Sequence, residues 1–317
     1  MAAITTPPLP GPKAAYLRGG IGRVEGWLNP STCTYLSAIE VLQRGLGIDG
    51  DVCEIGVHHG KSFMCLALGL PAGSRAVAID VFGDEHLNTD RSGRGDRSAF
   101  ERNLREHGAT SNVEVVQASS VDLHDNGFVA KGPRFRLFSI DGGHTVELTL
   151  NDLRVAERTL VDRGVAVLDD FLNPSWLGVI TGLFRYWAEG GTLVPAAVVP
   201  GKLLLATSAA EARALRDLLV EHFGRALMKR DVPLSHGHVH VFGEYPWVVV
   251  DDRGNSGLLY GSAWRHKRPD ETTRVVPASY LAQLERRPLP LRSRVGRRLP
   301  TPVRDLYREI LRRRRGS

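Results

Sequence analysis

Two segments hold the residues best able to do chemistry. Phe135–Ile140 runs into Asp141-Gly-Gly-His144, and Gly164–Leu168 runs into Asp169-Asp170. Each is a short apolar run that stops in acid. Three carboxylates gathered in one place repel one another unless a cation holds them. A histidine beside them, with an ordinary pKa of about 6.5, can take up a proton near neutral pH. Together they describe a hard-cation site with a base next to it: Asp141, Asp169 and Asp170 as ligands, His144 as base. Oxygen donors alone favour Mg²⁺, Mn²⁺ or Ca²⁺ over zinc. Taken singly, Asp169-Asp170 reads equally well as a helix cap, and Gly142-Gly143-His144 as a turn with a solvated histidine. Their meeting at neighbouring strand ends is what favours a site.

Such a meeting needs a sheet. The apolar runs, rich in β-branched residues, read as strands buried on both faces, and ligands of open α/β sheets lie beyond the carboxyl ends of such strands. Strands are expected at 51–55, 75–80, 113–117, 136–140 and 165–168, with helices at 31–46, 61–70, 98–107, 146–160 and 177–188 between or around them. Residues 192–199 and 202–207, split by Pro200-Gly201, read as a hairpin that makes the last strand antiparallel, and a helix follows at 209–223. The expectation is an α/β fold: a Rossmann-like, doubly wound, mostly parallel seven-stranded sheet with an antiparallel last strand. Its domain spans 26–224, between a flexible N-terminal arm (1–25) and a C-terminal extension with an Arg-rich tail (225–317).

The first strand runs into Glu54-Ile-Gly56-Val-His58-His59-Gly60-Lys61-Ser62. Glycines here let the backbone turn and approach a ligand, and the following helix start suits an anionic group. The loop lacks G-x-G-x-x-G and the P-loop spacing. The second strand ends in Asp80, placed to accept hydrogen bonds from ribose hydroxyls, and the third in Gln117-Ala-Ser119-Ser, a small polar turn able to border an adenine.

With these residues in place, the chain resembles class I S-adenosylmethionine-dependent methyltransferases over about residues 48–207. It is most similar to the metal-dependent O-methyltransferases of the catechol and macrocin (macrolide sugar) types. The general loop of these enzymes is Glu/Asp-x-Gly-x-Gly-x-Gly; this chain keeps Glu54, Gly56 and Gly60 and has His58 at the middle glycine, as catechol-type enzymes also depart there. The resemblance implies S-adenosylmethionine held by Glu54, Gly56, His58, Gly60, Ser62, Asp80, Ser119 and Asp141. It also implies Mg²⁺ (or Mn²⁺) on Asp141, Asp169 and Asp170, with His144 as catalytic base. Histidine rather than lysine at 144 points to a hydroxyl of a sugar or glycosylated metabolite as the acceptor. Two alternatives remain open: a cephalosporin hydroxylase-like reaction on the same fold, and a non-catalytic module that only binds S-adenosylmethionine.

Other stretches carry weaker expectations. Gly83–Arg97 reads as a lid over substrate or as an ordinary surface loop. His236, His238 and His240 alternate on one side of a possible strand, but no carboxylate or cysteine completes a second metal set. Trp176 and Trp187 read as core, with Trp176 close enough to the acid pair to line a pocket. Of the 317 residues, 42% are apolar and 24% charged, which is ordinary for a globular protein with a full core. The net charge of +6 is uneven: residues 285–317 hold twelve arginines against Glu285, Asp305 and Glu309, a local +9, which leaves −3 for residues 1–284. A near-neutral body argues against nucleic acid as a partner. The tail admits a peripheral membrane contact, and the partners expected are a small-molecule or glycan acceptor and a second copy in a homo-oligomer. Three cysteines without metal spacing, and an N-terminus of prolines lacking an apolar core, lead to the expectation of a cytoplasmic protein.

Overall fold

The computed structural model describes residues 11–244, 247–250 and 256–259. The first ten residues and the Arg-rich stretch lie outside the described residues. The strands β1 (Asp51–Ile55), β2 (Ala76–Asp80), β3 (Val113–Gln117), β4 (Phe135–Ile140) and β5 (Leu160–Asp169) lie parallel in the order β3-β2-β1-β4-β5. Every residue of β4 is buried, as are Val165–Leu168 of β5, which is why these strands are continuous apolar runs without alternation. β6 (Val194–Val199) and β7 (Lys202–Ala206) form the hairpin around Pro200-Gly201, and β7 runs antiparallel between β5 and β6. The order reverses between β1 and β4, so the crevice for a ligand opens at the ends of those two strands.

Helices cover both faces. One core contains side chains of α2 (Pro30–Gly45), α3 (Phe63–Ala67), α4 (Arg97–His107) and α7 (Ala209–Phe223); the other contains those of α5 (Val146–Thr159) and α6 (Leu177–Ala188). Their starts follow capping rules: Asn29, Asp96, Thr145 and Ser208 each accept a backbone N–H of the first turn. α3 has only five residues where 61–70 is expected, because Leu68 turns to an extended conformation and Gly69 to φ +70°.

The sheet differs from expectation at its far edge. It has nine strands, not seven: β8 (Leu227–Leu234) and β9 (Gly237–Phe242) extend it beyond β6, past residue 224 where a separate extension is expected to begin. β8 is almost wholly exposed, so it leaves no apolar pattern in the sequence. A separate pair, β10 (Trp247–Val250) and β11 (Ser256–Leu259), follows. No helix among the described residues is long and apolar enough to cross a membrane.

The N-terminal segment is also not a free arm from residue 11 onward. α1 (Gly11–Arg18) packs on the body and buries Lys13 and Tyr16. Lys13 donates to the carbonyls of Cys65 and Leu66 at 2.5 and 2.9 Å and pairs with Glu40 at 3.2 Å. Glu40 is fully buried and also meets Arg44 at 2.7 Å and Arg136 at 2.6 Å. Composition alone hides this, because the anchoring partner is a single acid 27 residues away in sequence.

Candidate active site

The site lies where the β1 and β4 loops touch. Gly56 has φ +82°, and a Cβ there would meet the Asp141 carbonyl oxygen at 1.7 Å, so only glycine lets the two strand ends come this close. One cavity of about 1220 Å³ is lined on one side by Gly56, His58, Ser62, Asp80 and Ser119 and on the other by Asp141, His144, Asp169 and Asp170. The structure brings these residues together around one cavity; Glu54 and Gly60 do not line it. Glu54 is fully buried behind the loop, where Ser139 donates to it at 2.9 Å, and burial, only partly offset by Lys202, lifts its carboxyl to about 7. Gly60, at φ +90°, lies against Phe100.

The first loop carries strain at its middle. His58 takes φ +50°, a left-handed conformation that glycine adopts freely and that costs other residues roughly 1–2 kcal/mol. The ring it presents stacks on His59 at 3.9 Å and packs against Trp27 at 5.4 Å. Burial, and then the neighbouring His59, lower its pKa, and its buried Nδ1 has no partner. Asp80 accepts the backbone N–H of His58 at 2.7 Å and of Phe82 at 2.6 Å. A carboxylate has about four acceptor positions, so Asp80 retains room for hydroxyl donors. With the orphaned His58 Nδ1 and the hydroxyls of Ser62 and Ser119, this wall fits a ligand that carries a ribose and an amino-acid end.

The opposite wall holds the acids. Asp170 also takes a left-handed conformation, φ +54°, at the end of β5. Its Oδ2 lies 3.0 Å from His144 Nε2, and its Oδ1 accepts from Asn173 at 2.9 Å. His144 Nδ1 lies 2.9 Å from Asp90, which also accepts the His144 backbone N–H at 2.5 Å. Burial pulls the imidazole pKa down, but the hydrogen bonds to Asp170 and Asp90 outweigh it and lift it to about 9. The same bonds outweigh burial at both carboxylates and hold them below the usual range. Trp176 stacks on the His144 ring at 4.3 Å and 17°.

Ligand atoms of Asp141, His144 and Asp170 lie within 4.8 Å of one another, a spacing that fits one metal ion. Asp169 stands beside this group but turns to Lys202, which donates to its Oδ2. Burial, and then the neighbouring Asp169 charge, push the Asp141 carboxyl well up despite Lys202 at 3.6 Å. The cluster therefore holds more negative charge than Lys202 neutralises. Its oxygen-rich donor set fits a hard divalent cation.

Three residues of the site escape sequence reasoning. Asp90 sits in the loop 81–96, which does lie over the cavity, with Asp90 on His144 and Gly93 against His58. Lys202 heads an apolar strand and is paired across the ladder with Asp169, a signal readable only once β5 and β7 are known to be neighbours. Trp27, 77% exposed, stands at the cavity's edge in a segment without pattern. The alternating histidines do not converge: His236 stacks on the core residue Trp187, His238 is exposed and His240 is buried.

Residues 53–171 match the family model of a methyltransferase domain. Among solved structures the chain is similar to cofactor-bound Rv0187 from MTB (20% identity, 63% of this chain and 91% of that one, TM-score 0.44). It is also similar to an O-methyltransferase from Bacillus cereus in complex with SAH (17%, 63% and 91%, 0.44). A third is the O-methyltransferase TomG from Streptomyces achromogenes, of tomaymycin synthesis, in complex with SAM (16%, 62% and 90%, 0.43). No curated protein matches the chain.

Proposed function

We propose that this methyltransferase domain moves a methyl group from S-adenosylmethionine to a hydroxyl of a sugar or glycosylated metabolite, with a divalent ion and with His144 as general base. The observation that carries this reading is the single cavity shared by the Gly56–Asp80–Ser119 wall and the Asp141–His144–Asp170 cluster. A cofactor held on the first wall would share this cavity with the acids of the second.

When bound, S-adenosylmethionine would supply an electrophilic methyl on sulfur, and Mg²⁺ (or Mn²⁺) would stabilise negative charge on the attacking hydroxyl oxygen. The chain's own residues do the rest. Gly56, Ser62, Asp80 and Ser119 hold and orient the cofactor, and Asp141 and Asp170 hold the cation, with Asp169 beside them. His144 Nε2 takes the hydroxyl proton once the ring is deprotonated, which a pKa of about 9 places at alkaline pH; such help is worth typically about 10²–10⁴ in rate. Asp90 keeps Nδ1 protonated and fixes the ring, which Trp176 supports from one face. Polar side chains of Asn88, Thr89, Ser92, Asn173 and Ser175 share the cavity with Trp27 and Trp176. That mixture of hydrogen-bonding groups and aromatic faces suits a polyhydroxylated ring.

A second reading rests on one distance set: His144 falls inside the metal-sized group, so it could serve as a nitrogen ligand instead of a base. Incubation with S-adenosylmethionine, Mg²⁺ and a panel of sugar and glycoside acceptors tests the proposal. The expected result is an O-methylated product with S-adenosylhomocysteine, lost in Asp141→Ala and in His144→Ala. Turnover untouched by both substitutions would refute the mechanism; His144→Ala losing ion affinity as well as rate favours the ligand role.

A further inference from the structure

Lys202 is a buried ammonium inside a cluster of acids. Its side chain is 1% exposed. It starts β7 directly after the Pro200-Gly201 turn and sits opposite Asp169 in the β5–β7 ladder. Its Nζ donates to Asp169 Oδ2 and lies 3.6 Å from Asp141 Oδ2. Short backbone geometry at both ends, a tight hairpin on one side and a strand end on the other, keeps the head group there. The cavity that holds His144 also reaches Pro200, Gly201 and Lys202.

A lysine in this position does more than fill space. Asp141 and Asp169 are two of the three acids expected around a divalent ion, and Lys202 already engages both. Like charges a few ångströms apart in a poorly solvated site oppose each other strongly. An ion entering beside Asp141 must share that carboxylate with the ammonium.

We propose that Lys202 is a tethered counter-cation of the acid cluster, one that competes with the divalent ion for Asp141 and Asp169. This rests on the divalent-ion reading above and adds to it. The tether partly offsets the charge of Asp141 and Asp169 before an ion arrives, and it weakens ion binding, so the ion is held as an exchangeable partner and not as a permanent one. Truncating the ammonium should therefore tighten ion binding, whereas loss of an ordinary structural residue would weaken or abolish it.

The test is direct titration of the full chain with Mn²⁺, followed by the fall in the free-ion electron paramagnetic resonance signal, for the wild type, Lys202→Gln and Lys202→Arg. The expected result is a Kd at least tenfold lower in Lys202→Gln and nearly unchanged in Lys202→Arg. Equal or weaker Mn²⁺ binding by Lys202→Gln overturns the proposal. If Lys202→Gln is unfolded without ions, recovery of its melting transition at Mn²⁺ concentrations that leave the wild-type transition unmoved supports it. Failure of Mn²⁺ to restore folding counts against it. Calorimetry with S-adenosylmethionine on the same samples separates the two readings. If the cofactor binds but Mn²⁺ binds neither wild type nor variant, the competition is wrong and methyl transfer stands. If the wild type binds no cofactor, the functional reading fails independently.

Discussion

Replacing Asp90 by Asn tests whether the loop over the cavity takes part in the chemistry. In the structure the Asp90 carboxylate accepts the His144 backbone N–H at 2.5 Å and holds Nδ1 at 2.9 Å. Asn keeps one acceptor oxygen, so the backbone bond can survive, but the charge on the imidazole's partner is gone. Hydrogen bonds to charged groups contribute roughly 1.5–3 kcal/mol, which at about 1.4 kcal/mol per factor of ten corresponds to a kcat loss of roughly tenfold to a hundredfold. The pH dependence should move too. Burial lowers the imidazole pKa while Asp170 and Asp90 lift it to about 9. Removing one of the two carboxylates lowers it, so the acid limb of the kcat profile shifts to lower pH even as the plateau falls. KM for the acceptor should change far less than kcat, because Asp90 acts through His144. Steady-state kinetics across pH, read by S-adenosylhomocysteine release, measures all three quantities. A variant with unchanged kcat and an unchanged acid limb would refute the role given to Asp90 and weaken that of His144.

Other consequences follow from buried charge. Glu54→Gln should stabilise the fold above neutral pH: burial raises the Glu54 carboxyl to about 7, so its ionisation costs stability as pH rises through that value, roughly 3 kcal/mol by linkage. The advantage should vanish below about pH 4.5, where Glu54 is protonated folded or unfolded, and urea unfolding at both pH values reads this directly. Glu40→Ala strands Lys13 and Arg136 as buried cations and should cost about 3–5 kcal/mol in the same assay. Treatment with a chelator should abolish methyl transfer and leave cofactor binding in place, with recovery on addition of Mg²⁺ or Mn²⁺; full activity after chelation would remove the ion from the mechanism.

The parallel core of the fold was legible because β1, β4 and β5 are buried on both faces and their apolar runs end in polar residues that mark the crevice. The same property made Asp141, His144, Asp169 and Asp170 visible as a group before any geometry. What escaped has physical causes. β8 is exposed and charged, so no period betrays it. Lys13 looks like part of a loose arm until Glu40 is placed beneath it. Asp90 and Lys202 reach the acids from a loop and a hairpin, where proximity is set by topology and not by spacing. His58, which stands where the family loop has its middle glycine, keeps the glycine conformation and packs its ring against Trp27.

The central claim is that the crevice between β1 and β4 holds S-adenosylmethionine against the acid cluster. Isothermal titration of the full chain with S-adenosylmethionine is its most direct test. The account predicts saturable binding of one molecule per chain, displaced by S-adenosylhomocysteine and weakened by Asp80→Ala, whose carboxylate faces the cavity. No heat of binding from a folded wild-type chain, or affinity indifferent to Asp80, would contradict it.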